Sequence, residues 1–177
     1  MKNHRLLSVV YLAADTSVSL NAYAEIYMTP DQALNSLFPA TKMKETKYVL
    51  SDEEVKKIEA SSDQTVRSKT LQVWVSEKKD IFFIDQVLGK HEFITYATAV
   101  SNSGKILGIE ILEYRETYGK QIKEAQWRKQ FVGKDSKSAL KVNNDIVNIS
   151  GATLSSTHVT NGIRRLLKTC DLIKGHI

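Results

Sequence analysis

The sequence predicts an α+β domain, a twisted and mainly antiparallel sheet with helices packed on it. Three observations carry that expectation. Apolar residues alternate or run densely through four consecutive segments in the middle of the chain, as strands require. Apolar residues repeat at helical spacing in two short segments before them and in one long segment at the end. A tight connection joins two of the strand-like segments, which makes them a β-hairpin. With 177 residues, 42% of them hydrophobic and 25% charged, the chain is long enough to bury one substantial core.

The helices before the sheet are announced by their start signals. In "MTPDQALNSLF" Thr29 stands as N-cap with Pro30 at the first helical position, Ala33, Leu34 and Leu37 follow on one face, and Pro39 ends the run. In "LSDEEVKKIEASS" Ser51 and Glu54 have the spacing of a capping box, and Val55 and Ile58 form the inward stripe.

The period then changes. "KTLQVWVSE" places Leu71, Val73 and Val75 on one side, and "DIFFIDQVLG" is dense enough for a buried strand. "FITYATAV" and "KILGIEILEY" flank "SNSG", whose Asn102 and Gly104 suit a tight turn. From Gly119 the chain reads as helical or irregular, and "GKDSKSALKVNND" as a loop. The last helix is expected from about Ser150 to about Asp171, with Val159, Ile163, Leu166 and Leu167 inward and Arg164, Arg165 and Lys168 as a solvated basic end.

The N-terminus is read separately. Lys2, His4 and Arg5 precede the apolar run "LLSVVYLAA", and Ala22 and Ala24 have the spacing of a signal-peptidase site. Residues 1–24 are therefore expected to be an export signal, with a buried N-terminal helix as the alternative. Residues 25–66 then form a helical lead-in and 67–177 the main domain. The chain carries a formal charge of +5 spread along its length, which argues against a nucleic-acid surface. The single cysteine, Cys170, excludes an intrachain disulfide and reads as a small buried apolar residue. No histidine pair has metal-ligand spacing, and no nucleophile elbow accompanies Ser150.

Ordinary packing does not ask for Ser150-Gly151-Ala152-Thr153 at the head of an amphipathic helix. A helix start offers unpaired amides and a partial positive charge to an anion, Gly151 and Ala152 let that anion approach the backbone, and Thr153 adds a hydroxyl. By local chemistry alone, a plain helix start fits these residues as well.

The stretch "SGATLSS" resembles the flavinylation motif of the FMN-binding domain family, which includes the C subunit of the sodium-translocating NADH:quinone reductase and the G subunit of the Rnf complex. "YRETYGKQIKEAQWRKQFVGK", "GKHEFITYATAV" and "LNSLFP" are similar to further parts of the family, above all to its small exported members. The resemblance implies an α+β FMN-binding fold and an exported electron carrier, with FMN joined to Thr153 by a phosphodiester bond. It also implies a flavin transferase that uses FAD and magnesium as maturation partner, and a membrane or periplasmic redox partner.

By the same resemblance Ser150, Gly151, Ala152, Leu154 and Ser155 surround the attachment point. The resemblance makes Glu116, Thr117, Tyr118 and Gly119 the expected cover of the ring. Beside it Arg115 is a candidate charge for the reduced flavin, Tyr114 and Trp127 are candidate shields, and Lys90 and His91, at a strand start, are further candidate contacts. Two positions depart from the pattern: Val147 stands where the motif has Asp, with Asp145 two residues upstream, and Tyr118 stands where the larger subunits have Pro. Noncovalent FMN and a binding module without flavin are the alternatives to a covalent carrier.

Overall fold

The computed structural model describes residues 25–177, so the expected export signal lies outside the described residues. Six antiparallel strands form one sheet in the order β1-β6-β5-β4-β3-β2. They are β1 (Glu25–Ile26), β2 (Met43–Val49), β3 (Thr70–Ser76), β4 (Ile81–Leu88), β5 (Phe93–Val100) and β6 (Ile106–Tyr114). The helices are α1 (Pro30–Leu37), α2 (Asp52–Ser62), a single turn α3 (Ala125–Arg128) and α4 (Thr153–Ile173). The α+β expectation and the β5–β6 hairpin are both present.

Both short helices start where their caps predict. Thr29 and Gln32 exchange side-chain and backbone hydrogen bonds at the head of α1, and Ser51 and Glu54 do the same for α2. The lead-in 25–66 carries strands as well as helices: β1 pairs with the end of β6, and β2 pairs along its whole length with β3.

Period-two patterning gives the sheet two apolar faces, and each is covered. On one face Val159, Ile163, Leu166 and Leu167 of α4 and Ile58 of α2 pack with Val73, Phe83, Ile94, Tyr96 and Ile109. On the other, Ala33 and Phe38 pack with Phe82, Ala97, Ala99 and Leu112. Burying such side chains contributes roughly 1.5–3 kcal/mol each, so α4, fastened along its inward stripe, is a rigid platform for whatever its first turn presents. Cys170 lies in this core, and burial pushes its thiol up to about 12.

Between β6 and α4 the chain is held by a few long side chains. Trp127 packs edge-on against Phe131 at 5.0 Å and donates its indole N–H to the Val147 carbonyl at 3.0 Å. Arg128 pairs with Glu110 at 2.6 Å and donates to the Ile109 carbonyl at 2.7 Å. This crossing delivers the chain to the head of α4. β3 and β4 pair only beside their turn, from Val73↔Phe83 to Val75↔Ile81, and diverge beyond it around a cavity of about 470 Å³ walled partly by the Arg165–Asp85 ion pair.

Candidate functional site

The approach to α4 is fixed residue by residue. The Asp145 carboxylate accepts from Lys134 Nζ at 3.0 Å, from the Leu140 amide at 3.0 Å and from the Lys141 amide at 2.8 Å. Burial raises its pKa, but the two amides and the ammonium outweigh that and hold it below the usual aspartate value. Asp145 is thus occupied in closing its own loop. Ile146 and Ile149 are buried on either side of Val147, which is 68% exposed.

The helix starts later than its sequence suggests. In place of a start at about Ser150, α4 begins at Thr153 with Ala152 in the cap position and no side-chain cap. The reason lies in the turn before it, where the Ala152 amide bonds the Ile149 carbonyl at 3.0 Å and Gly151 takes φ +78. A β-carbon at Gly151 would meet nothing within 4 Å, so this glycine serves the left-handed turn and an open space. Without a cap, the first-turn amides of α4 have no acceptor within the helix.

That turn borders a cavity of about 450 Å³, within the range of small-molecule sites. Gly151 to Ser155 form one wall, Glu116, Thr117 and Tyr118 the second, and Lys90 and His91 the third. Three separate stretches of sequence therefore converge on one cavity.

Two buried groups hold the walls together. Glu116, 9% exposed, accepts the amides of His91 at 2.6 Å and Glu92 at 3.1 Å. Burial raises its pKa, but these amides, with that of Lys90, win and depress it. Tyr114 lies beneath the loop, its hydroxyl 3.0 Å from Ser155 Oγ and bonded to the Tyr118 carbonyl. Burial pushes its phenol up. Gly119, at φ +95, abuts Ala152 and would place a β-carbon 2.6 Å from the Tyr114 hydroxyl. The loop backbone lies directly against the Ala152 methyl and the Tyr114 hydroxyl here, which a side chain would prevent.

The three hydroxyls at the start of α4 are not equivalent. Ser155 is 3% exposed and faces Tyr114, and Ser156 is fully buried. Thr153 is exposed and borders the cavity. Its Oγ1 receives a hydrogen bond from Asn148 Nδ2 at 3.0 Å, and Asn148 Oδ1 in turn accepts from Ser156 Oγ at 2.8 Å. Asn148 is the residue that sequence reasoning missed, since a lone asparagine five positions ahead of a helix reads as ordinary turn chemistry.

Other expected contacts lie elsewhere. Arg115 is held by Glu113 at 2.7 Å, and it does not line the cavity. Trp127 is a packing anchor in the core, and Ser150 is exposed beside the cavity without lining it. His158 bonds the Leu88 carbonyl, fastening α4 to the end of β4.

Residues 89–168 match the model of a family described as FMN-binding domain. That span runs from the turn after β4 through most of α4, and it includes all three walls of the cavity. A search of curated proteins gave no match to the chain.

Proposed function

We propose, from the match of residues 89–168 to the FMN-binding domain family, that the protein is an exported electron carrier whose FMN is esterified to Thr153. The observation that carries the covalent reading is the exposure of Thr153 beside two buried serines, which leaves one hydroxyl of the first turn open to a modifying enzyme.

The site suits FMN on its own chemistry. The uncapped amides of α4, the open face of Gly151 and the nearby Lys90 ammonium favour a phosphate. Thr117, Tyr118 and Leu154 offer a partly apolar surface for a ring, with His91 as a polar neighbour. Bound there, FMN supplies the redox chemistry by taking up and releasing electrons. The chain's part is to hold and shield it. Glu116 fixes the turn bearing Lys90 and His91, and Tyr114 fixes the loop bearing Tyr118 to the helix bearing Thr153.

Maturation under this reading requires a flavin transferase with FAD and magnesium, and turnover requires a membrane or periplasmic redox partner. A tether makes sense in an exported protein, where a dissociated cofactor is lost by dilution. Noncovalent FMN in the same cavity is the second reading, favoured by Val147 at the position of an acid and by the full engagement of Asp145.

Acid precipitation after co-expression with a flavin transferase separates the two. A yellow pellet, with an intact mass increased by FMN less water, supports the ester; a yellow supernatant supports noncovalent binding. Thr153→Val must abolish the adduct. An adduct that persists and maps to Ser155 or Ser156 overturns the assignment.

A further inference from the structure

We propose that Asn148 is a positioning residue that sets the Thr153 hydroxyl for ester formation, with Ser156 locking the amide that does it. The inference rests on the covalent reading above and adds two residues to it. Thr153 is exposed at the first position of α4, where a threonine side chain can occupy more than one rotamer. An exposed hydroxyl of this kind reacts slowly because most of its orientations are unproductive.

The hydrogen bonds remove that freedom. Asn148 Nδ2 donates to Thr153 Oγ1 at 3.0 Å, and Asn148 Oδ1 accepts from Ser156 Oγ at 2.8 Å. Ser156 is fully buried one turn into α4, so it is a fixed point. The chain on the other side of Asn148 is equally fixed. Val147 donates its amide to Gln130 at 2.7 Å and accepts from Trp127 at 3.0 Å, and Ile149 is buried. Asn148 thus spans two rigid points and hands one directional donor to an otherwise free hydroxyl.

The direction of that bond matters. Accepting from the amide occupies one lone pair of Oγ1 and leaves the other, and the proton, available. In the transfer step Oγ1 bonds to the FMN phosphorus of FAD, the pyrophosphate linkage breaks, AMP departs with the bridging oxygen, and the hydroxyl proton is released. An ester oxygen still accepts hydrogen bonds, so the same amide serves before and after the step.

The test uses two readouts. In the chain without flavin, the χ1 couplings of a ¹³C-labelled Thr153 methyl report a single rotamer for wild type and averaging for Asn148→Ala. In the transferase reaction, followed by intact mass, Asn148→Ala loads about tenfold more slowly, the change expected for one directional hydrogen bond. Ser156→Ala, which keeps the amide but frees it, falls between. Asn148→Asp keeps the shape but can only accept when ionised, so its loading rate acquires a dependence on pH in the carboxylate range that wild type lacks.

A fixed Thr153 rotamer in Asn148→Ala together with loading at the wild-type rate overturns the role of Asn148 and leaves the ester intact. A wild-type chain that takes no adduct overturns the covalent reading, and the positioning role with it.

Discussion

Glu116 accepts the His91 amide at 2.6 Å across 25 positions of sequence, and this bond joins two walls of the cavity. The carboxylate also accepts the Glu92 amide, and Gly89 leaves room for it, since a β-carbon there would lie 2.6 Å from its oxygen. Glu116, expected in the loop over the ring, lines the cavity and is also a strut between its walls.

Glu116→Gln is therefore expected to destabilise the protein by about 1–3 kcal/mol near neutral pH, the range for charged hydrogen bonds to buried groups. The sign with pH follows from the depressed pKa of Glu116. Its contribution is fully present above the ordinary glutamate value and is lost as pH falls through the folded one. Urea unfolding of both proteins at several pH values checks this. The gap between them must narrow in acid, and a gap that widens there contradicts the role.

Two glycines with positive φ separate strain from crowding. Gly119→Ala adds a methyl where Ala152 and the Tyr114 hydroxyl already sit, so backbone strain and collision combine to cost roughly 2–4 kcal/mol. Gly151→Ala meets open space, leaving the left-handed conformation as the cost, about 1–2 kcal/mol. Thermal melts of the two variants should rank them in that order. Equal losses would mean that the loop from Arg115 to Gly119 moves away from α4 at little cost.

Val147→Asp should change stability by less than about 0.5 kcal/mol, because the side chain is 68% exposed. In a flavinylation time course it should speed loading, since the native chain lacks an acid there and Asp145 is held by Lys134 and two amides. Asp145→Asn should instead lower stability, by about 1–3 kcal/mol, as its loop loses a charged acceptor. A loading rate that collapses in Asp145→Asn with stability unchanged would reassign the acid to Asp145.

What the sequence made legible was local. The caps Thr29 and Ser51, the β5–β6 turn and the inward stripe of α4 all depend on neighbours a few positions apart. β2 escaped because Lys44, Glu45 and Lys47 hide its alternation; its place is set by pairing with β3, and charges suit an edge strand. The start of α4 was misplaced because Ser150 has the right chemistry for a cap, while the turn closed by Ala152 and Ile149 is a property of the folded chain. Glu116 and Asn148 act through partners that only folding brings near: two backbone amides across the fold, and two hydroxyls, one at the first position of α4 and one a turn further on.

Tyr118 lines the cavity yet is 76% exposed, so its ring is free to lie over a bound partner. Its backbone is fastened separately, because the carbonyl accepts the Tyr114 hydroxyl. Tyr118→Ala should therefore remove the ring without releasing the loop, with stability within about 0.5 kcal/mol of wild type. In flavin-loaded protein the ester to Thr153 should form as before. A tyrosine stacked on an isoalloxazine contributes on the order of 1 kcal/mol and quenches its emission by electron transfer, so the variant should fluoresce more strongly and be quenched more readily by iodide. Arg115→Ala is the contrasting control: its guanidinium is held by Glu113 away from the cavity, and it should leave emission unchanged. Unchanged emission and iodide quenching in Tyr118→Ala, with loading normal, would put the ring against another wall and leave Tyr118 as a solvent-facing residue of the loop.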